Sequence, residues 1–277
     1  MPTWQSSDIQ ANGIRLHLTR TGGAKPRLVL AHGATSDGLR WTPTAQALAP
    51  LYDVIMVDAR GHGMSEASEH GYGLANQARD LAGVITALGL SRPILLGHSL
   101  GAMTTLALAG LYPDVPQAIL LEDPPPWWLD RPERAELIES ARAQMRAQIE
   151  GLKRQTRDEN IADQRAASPN WPEVEVGRWV DAKLRVNLNA LNFGPEPNFD
   201  WPAQYARITC PALLITADTS LGAIVTPDAA AGLQALVPQL RIAHIPGAGH
   251  SIHCDQPVLF MEAVRAFLAT LPDTAPI

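Results

Sequence analysis

The residues best placed to do chemistry lie together at Gly97-His98-Ser99-Leu100-Gly101, a G-x-S-x-G pentapeptide. It follows the apolar run Ile94–Leu96 and precedes a small-residue helical pattern that ends near Gly110. A serine on a sharp strand-to-helix turn sits in strained backbone, and side chains two positions to either side would collide with the turn. Glycines remove that collision, and the hydroxyl projects clear of the sheet edge. The first turn of the helix behind it aims free amides at the same spot, where negative charge can be stabilised. The chemistry this suits is nucleophilic attack on an acyl carbon.

A serine nucleophile needs a base. Of the eight histidines, His250 lies in Ile245-Pro246-Gly247-Ala248-Gly249-His250, directly after the last strand-like run. That places it at the carboxyl edge of the sheet, with Ser99. His253 is the nearest competitor but lies beyond the glycine loop. His62, inside Asp58-Ala59-Arg60-Gly61-His62-Gly63-Met64-Ser65, reads as a structural loop residue, and His17, His70 and His244 as surface or packing residues. His98 neighbours Ser99 in sequence but should turn its ring elsewhere, and it is grouped with candidate substrate-lining residues. No pair of histidines has metal-ligand spacing, so neither a metal nor another cofactor is expected. A glycine turn at His32-Gly33-Ala34-Thr35 can present one oxyanion-binding N–H, and Leu100, after the nucleophile, a second.

These groups require a sheet to hold them. Six apolar bursts, Leu28–Ala31, Val54–Val57, Ile94–Leu96, Ile119–Leu121, Leu213–Ile215 and Leu240–Ile245, are continuous rather than alternating, as in strands covered on both faces. Helical spacing over Asn76–Leu88 alternates with them, and Asn12-Gly13 between short alternating runs predicts an N-terminal hairpin. The expected class is α/β, with a mostly parallel sheet.

The alternation breaks between Pro124 and Tyr205. This stretch of 82 residues holds 24 of the chain's 50 charged residues and five of its seven tryptophans. Glu133 to Gln155 reads as one amphipathic helix, with Leu137, Ile138, Ala141, Met145, Ile149 and Leu152 on one side and Arg142, Arg146, Lys153 and Arg154 on a solvated face. The expected organisation is a catalytic core over 1–123 and 206–277, with a helical cap over 124–205.

The 277 residues suffice for a sizeable core without disulfides. Two cysteines cannot form a disulfide framework. The net charge of -6 gives no reason to expect nucleic acid or an anionic membrane as partner. No apolar run approaches a membrane span, and the polar N-terminus lacks a signal-peptide plan. A cytoplasmic location is expected; the oligomeric state is not readable.

The chain resembles the α/β-hydrolase superfamily. His32-Gly33, the D-x-R-G-H-G-x-S stretch at Asp58–Ser65, Gly97–Gly101 and Gly249-His250 occur in the family's order. The resemblance implies Ser99 as nucleophile, His250 as base, and the Ala34 and Leu100 amides as oxyanion hole. The usual family acid follows the seventh strand, but counting back from Val225 puts that position on Gly222, with Asp218 close against the strand end. A subset resembling some haloalkane dehalogenases and lactonases carries the acid after the sixth strand, which here is Asp123. Asp123 is preferred, with Asp218 as the alternative.

The function this implies is hydrolysis of a small-to-medium carboxylic ester or lactone through an acyl-enzyme, with a small molecule as the only expected partner. An amidase, a carbon–carbon bond hydrolase, a cofactor-free perhydrolase and a weakly active ligand receptor are alternatives built on the same residues. Trp127 and Trp128, stiffened by Pro124-Pro125-Pro126, and Trp41 are candidates for an apolar wall over Ser99.

Overall fold

The computed structural model describes residues 4–169, 171–197 and 199–272. The chain opens with β1 (Gln5–Ala11) and β2 (Ile14–Arg20), an antiparallel hairpin turning on Asn12-Gly13. There follow β3 (Arg27–Ala31), α1 (Thr42–Leu48), β4 (Asp53–Val57), α2 (Leu74–Ala87), β5 (Ile94–His98), α3 (Leu100–Leu111) and β6 (Ala118–Glu122). Helices α4 (Arg134–Leu152), α5 (Arg157–Ala167), α6 (Glu173–Arg185) and the short α7 (Trp201–Tyr205) come next. The chain returns to the sheet with β7 (Ala212–Ala217), α8 (Pro227–Leu236) and β8 (Leu240–Ile245), and ends in α9 (Ile252–Asp255) and α10 (Pro257–Leu268).

The eight strands form one sheet in the order β1-β2-β4-β3-β5-β6-β7-β8. β2 meets β4 antiparallel, and every pairing from β4 to β8 is parallel. This is an α/β-hydrolase fold, and each apolar burst of the sequence lies in a parallel strand.

Alternate residues of those bursts enter two different cores. Val29, Leu95, Ile119 and Leu121 pack with α2 and α3, while Leu28, Leu30, Leu96 and Leu120 pack with Trp41 and with Phe260 of α10. Burial on both faces explains why the runs are continuous instead of alternating. From β3 the chain goes on to β4 on one side, and from β5 to β6 on the other, so the strand order reverses between β3 and β5. That crevice, at the carboxyl ends of the strands, is where a ligand site is expected in an open α/β sheet.

Between β6 and β7 the described residues form helices and turns but no paired strand. Of the four basic residues expected on a solvated face, Lys153 and Arg154 are exposed and Arg142 and Arg146 half-buried, and three of them reach backbone carbonyls. Arg142 Nε donates to Phe193 O at 2.7 Å, Arg146 to Leu188 O at 3.2 Å, and Lys153 Nζ to Val186 O at 2.6 Å. They fasten α4 to the segment that follows α6. Backbone carbonyls carry no sequence signature, so the pattern does not show these contacts.

Candidate active site

Ser99 is the first residue after β5 and caps α3, with φ 53° and ψ −119°. The glycines on either side are required by contact. A Cβ on Gly97 would meet the Gly101 carbonyl, and a Cβ on Gly101 would meet the Ala31 and His32 carbonyls. The elbow is packed against the end of β3, and only backbone fits between.

His250 lies in the loop between β8 and α9. Its Nδ1 is 2.7 Å from Asp123 Oδ2. Asp123 is the first residue after β6, has φ 42°, and is fully buried. Its carboxylate also accepts the N–H groups of Ile224, at 3.1 and 3.0 Å, and Val225, at 3.0 Å. The loop after β7, where the usual family acid would sit, thus supplies two amides to an acid on β6. Asp218 faces elsewhere: it accepts from the Gly247 amide at 2.7 Å and lies 3.0 Å from His244 Nε2.

The supports around these groups are buried histidines. His98 Nε2 donates to the His250 carbonyl at 2.9 Å, and burial with His250 and His253 nearby holds His98 well below its ordinary pKa. His32 accepts the Ala59 N–H at Nε2, and burial and the neighbouring His62 push it down to about 3. The ring nitrogens of His62 lie 2.6 Å from Ala34 O and 2.9 Å from Arg60 O, tying the D-x-R-G-H-G-x-S loop to the turn after β3. Within that loop, Asp58 takes the Gly38 and Met64 amides. The Ala34 N–H has no acceptor among the described residues, and Leu100 opens α3, where no preceding turn can accept its N–H.

His253 faces a different carboxylate. Its Nδ1 is 2.8 and 3.0 Å from the two oxygens of Glu122, which points away from Asp123 into the other core.

Two cavities meet at Ser99 and His250. One, of about 390 Å³, is apolar, walled by Trp127, Ile138, Met145, Phe193 and Ile224. The other, of about 270 Å³, is the more polar of the two and bordered by Thr35, Arg40, Trp41, His98, Trp179 and Lys183. Ala34 and Met145 border both. Of the expected lining residues, Trp127, Trp41 and His98 are placed there. Trp128 borders neither. Its Nε1 donates to Ala229 O at 2.9 Å, and the ring is buried beside α8, so it fastens the exit of β6 to the core. Lys183, Arg40 and Trp179 were not anticipated, because no local motif marks them.

A family model described as "Alpha/beta hydrolase family" matches residues 28–263. The N-formylmaleamate deformylase of Pseudomonas putida is 28% identical over 94% of this chain and 95% of its own. The 2-(acetamidomethylene)succinate hydrolase of Mesorhizobium japonicum is 29% identical over 90% of each. The crystal structure of an N-formylmaleamic acid deformylase from Pseudomonas putida S16 superposes with a TM-score of 0.77, at 26% identity, over 94% of this chain and 100% of that one. With the elbow, the sheet order and the matched span all in agreement, the chain belongs to the α/β-hydrolase family and is a hydrolase.

Proposed function

We propose that the chain is a serine hydrolase cleaving a small-to-medium carboxylic ester or lactone through an acyl-enzyme. Ser99 Oγ attacks the carbonyl carbon while His250 takes its proton. The oxyanion forms against the Ala34 and Leu100 amides, and His250 then returns the proton to the departing alcohol. Asp123 orients the imidazole and balances its transient charge. Water, activated by the same histidine, releases the acid and restores Ser99. The helical segment 124–205 acts as a cap over the apolar cavity. No step requires a cofactor.

The observation that carries this reading is the Asp123–His250 pair at 2.7 Å, placed beside a serine held in a strained elbow. An amide is the second reading, and a specific observation favours it. Two relatives carry in their names an N-formyl and an acetamido substrate, and an N-acyl bond is cleaved by the same sequence of steps with an amine leaving. The experiment is hydrolysis of 4-nitrophenyl acetate with mass detection of the acylated protein. Ser99→Ala is expected to abolish the +42 Da adduct of about one acetyl group and to lower kcat by at least ~10³-fold. Turnover that survives Ser99→Ala would overturn the mechanism.

A further inference from the structure

The described residues include three buried cationic side chains at or below 7% exposure: Arg40, Arg60 and Lys183. Arg60 pairs with Asp80, and Arg40 Nη1 donates to Glu175 Oε2 at 2.9 Å. Lys183 has no carboxylate partner among the described residues. Its Nζ donates to Thr35 Oγ1 and lies 3.3 Å from Thr35 O and 4.6 Å from the centre of the Trp179 ring. All of these contacts are neutral.

A buried ammonium with neutral partners is poorly compensated. Burial, with Arg40 nearby, pushes Lys183 down to about 7. A second donor at the border of the polar cavity is likewise unpaired. Trp41 borders it, and its indole N–H, a group that can only donate, is buried without a partner. Glu175, the nearby acid, is occupied by Arg40 and Arg178. The cavity borders Ser99, and the Lys183 contact Thr35 directly follows Ala34. An acceptor group placed at Lys183 would therefore sit a short chain away from a carbonyl at Ser99.

We propose that the polar cavity is a subsite for a carboxylate carried by the substrate, with Lys183 as its counter-charge. This rests on the acyl-transfer reading above and narrows it to short substrates bearing an acid at one end of the scissile group. The larger apolar cavity takes the remainder. The titratable or charged groups facing Lys183 are Arg40 from the turn before α1, His62 from the loop after β4, and His98, His250 and His253 around Ser99. Glu175 lies on its own helix, and Asp37, from the loop after β3, pairs with Arg185.

The test compares monomethyl succinate with dimethyl succinate, which has the same chain without the charge. Wild-type kcat/KM is expected to favour the acid by at least tenfold, and Lys183→Met to reduce that preference at least tenfold, chiefly through KM. A Lys183 that served only to tie α6 to the β3 loop would lower both rates and leave their ratio unchanged, which would overturn the proposal. Calorimetry on Ser99→Ala, with Lys183 intact, gives a readout that needs neither turnover nor a Lys183 variant. At pH 8, succinate is expected to bind at least tenfold tighter than succinamide and to take up close to one proton, read from two buffers of different ionisation heat. Equal binding of the two would overturn the subsite. Proton-coupled succinate binding by a protein whose wild type turns over neither ester would support the subsite and overturn the acyl-transfer reading.

Discussion

Ser99 and Asp123 occupy equivalent places on neighbouring strands. Each is the residue after a strand end, His98 and Glu122 are in register, and each has a left-handed φ. Such a conformation costs a non-glycine residue about 1–3 kcal/mol and persists only where the surroundings impose it. Around Ser99 it is imposed by the close packing at Gly97 and Gly101, and around Asp123 by the Ile224 and Val225 amides. The consequence can be tested at Asp123. In Asp123→Asn the carboxamide oxygen would turn to the two backbone donors and leave its NH₂ facing His250 Nδ1. That selects the wrong imidazole tautomer, and kcat should fall by ~10³–10⁴-fold with little loss of folding. Asp218→Asn, which touches His244 and the Gly247 amide, should stay within about threefold. Ester hydrolysis by both variants, with thermal melts as a folding control, checks the pair. The reverse ranking would move the acid to Asp218.

At the scale of elements, what was legible in the sequence depended on whether the signal was local. Whereas the edge strand β8 is broken by the exposed Arg241 and His244, the inner parallel strands announced themselves because burial on two faces leaves an unbroken apolar run. The elbow did so because its glycines are dictated by contacts within the β5–α3 unit and the adjacent end of β3. The carboxylate beside His250 was half legible: the register after β6 pointed to Asp123, but its pairing with His250 is a contact across 127 positions of chain. The basic face of α4 is partly solvated as its pattern reads, but its hydrogen bonds to carbonyls of the 186–193 segment are a pairing that no periodicity records. Those clamps carry a prediction of their own. Arg142 also lies 5.9 Å from the Phe193 ring, so Arg142→Met removes hydrogen bonds and a cation–π contact at a wall of the apolar cavity. It should destabilise the docked segment by about 1–2 kcal/mol. Cleavage by proteinase K within 130–195 should accelerate, and KM for a hexanoate ester should rise several-fold while acetate turnover changes little. Unchanged proteolysis would show that the clamp adds nothing to docking.

At the scale of the whole molecule, the site is drawn from strand ends, loops and the helices α4 and α6 between His32 and His253, and two of its charged groups couple it to stability in opposite directions. Lys183 is pushed down to about 7 from an unfolded value near 10.5, so between those limits the unfolded chain holds the extra proton and stability rises with pH. For His253, burial opposes the charge, but Cys254 and Glu122 outweigh it and raise the ring to about 10 from 6.5. Between 6.5 and 10 the folded protein therefore holds the extra proton, and this contribution is lost as pH rises. From pH 7 to 9 the two slopes oppose each other, each at most ~1.4 kcal/mol per pH unit. Wild-type stability should consequently be nearly flat across that window. Removing Lys183 exposes the other slope: Lys183→Met should lose stability steadily from pH 7 to 9. Urea unfolding of wild type and Lys183→Met at pH 7, 8 and 9 reads the difference. Parallel curves for wild type and Lys183→Met would mean that Lys183 is not a depressed, buried cation in the folded protein.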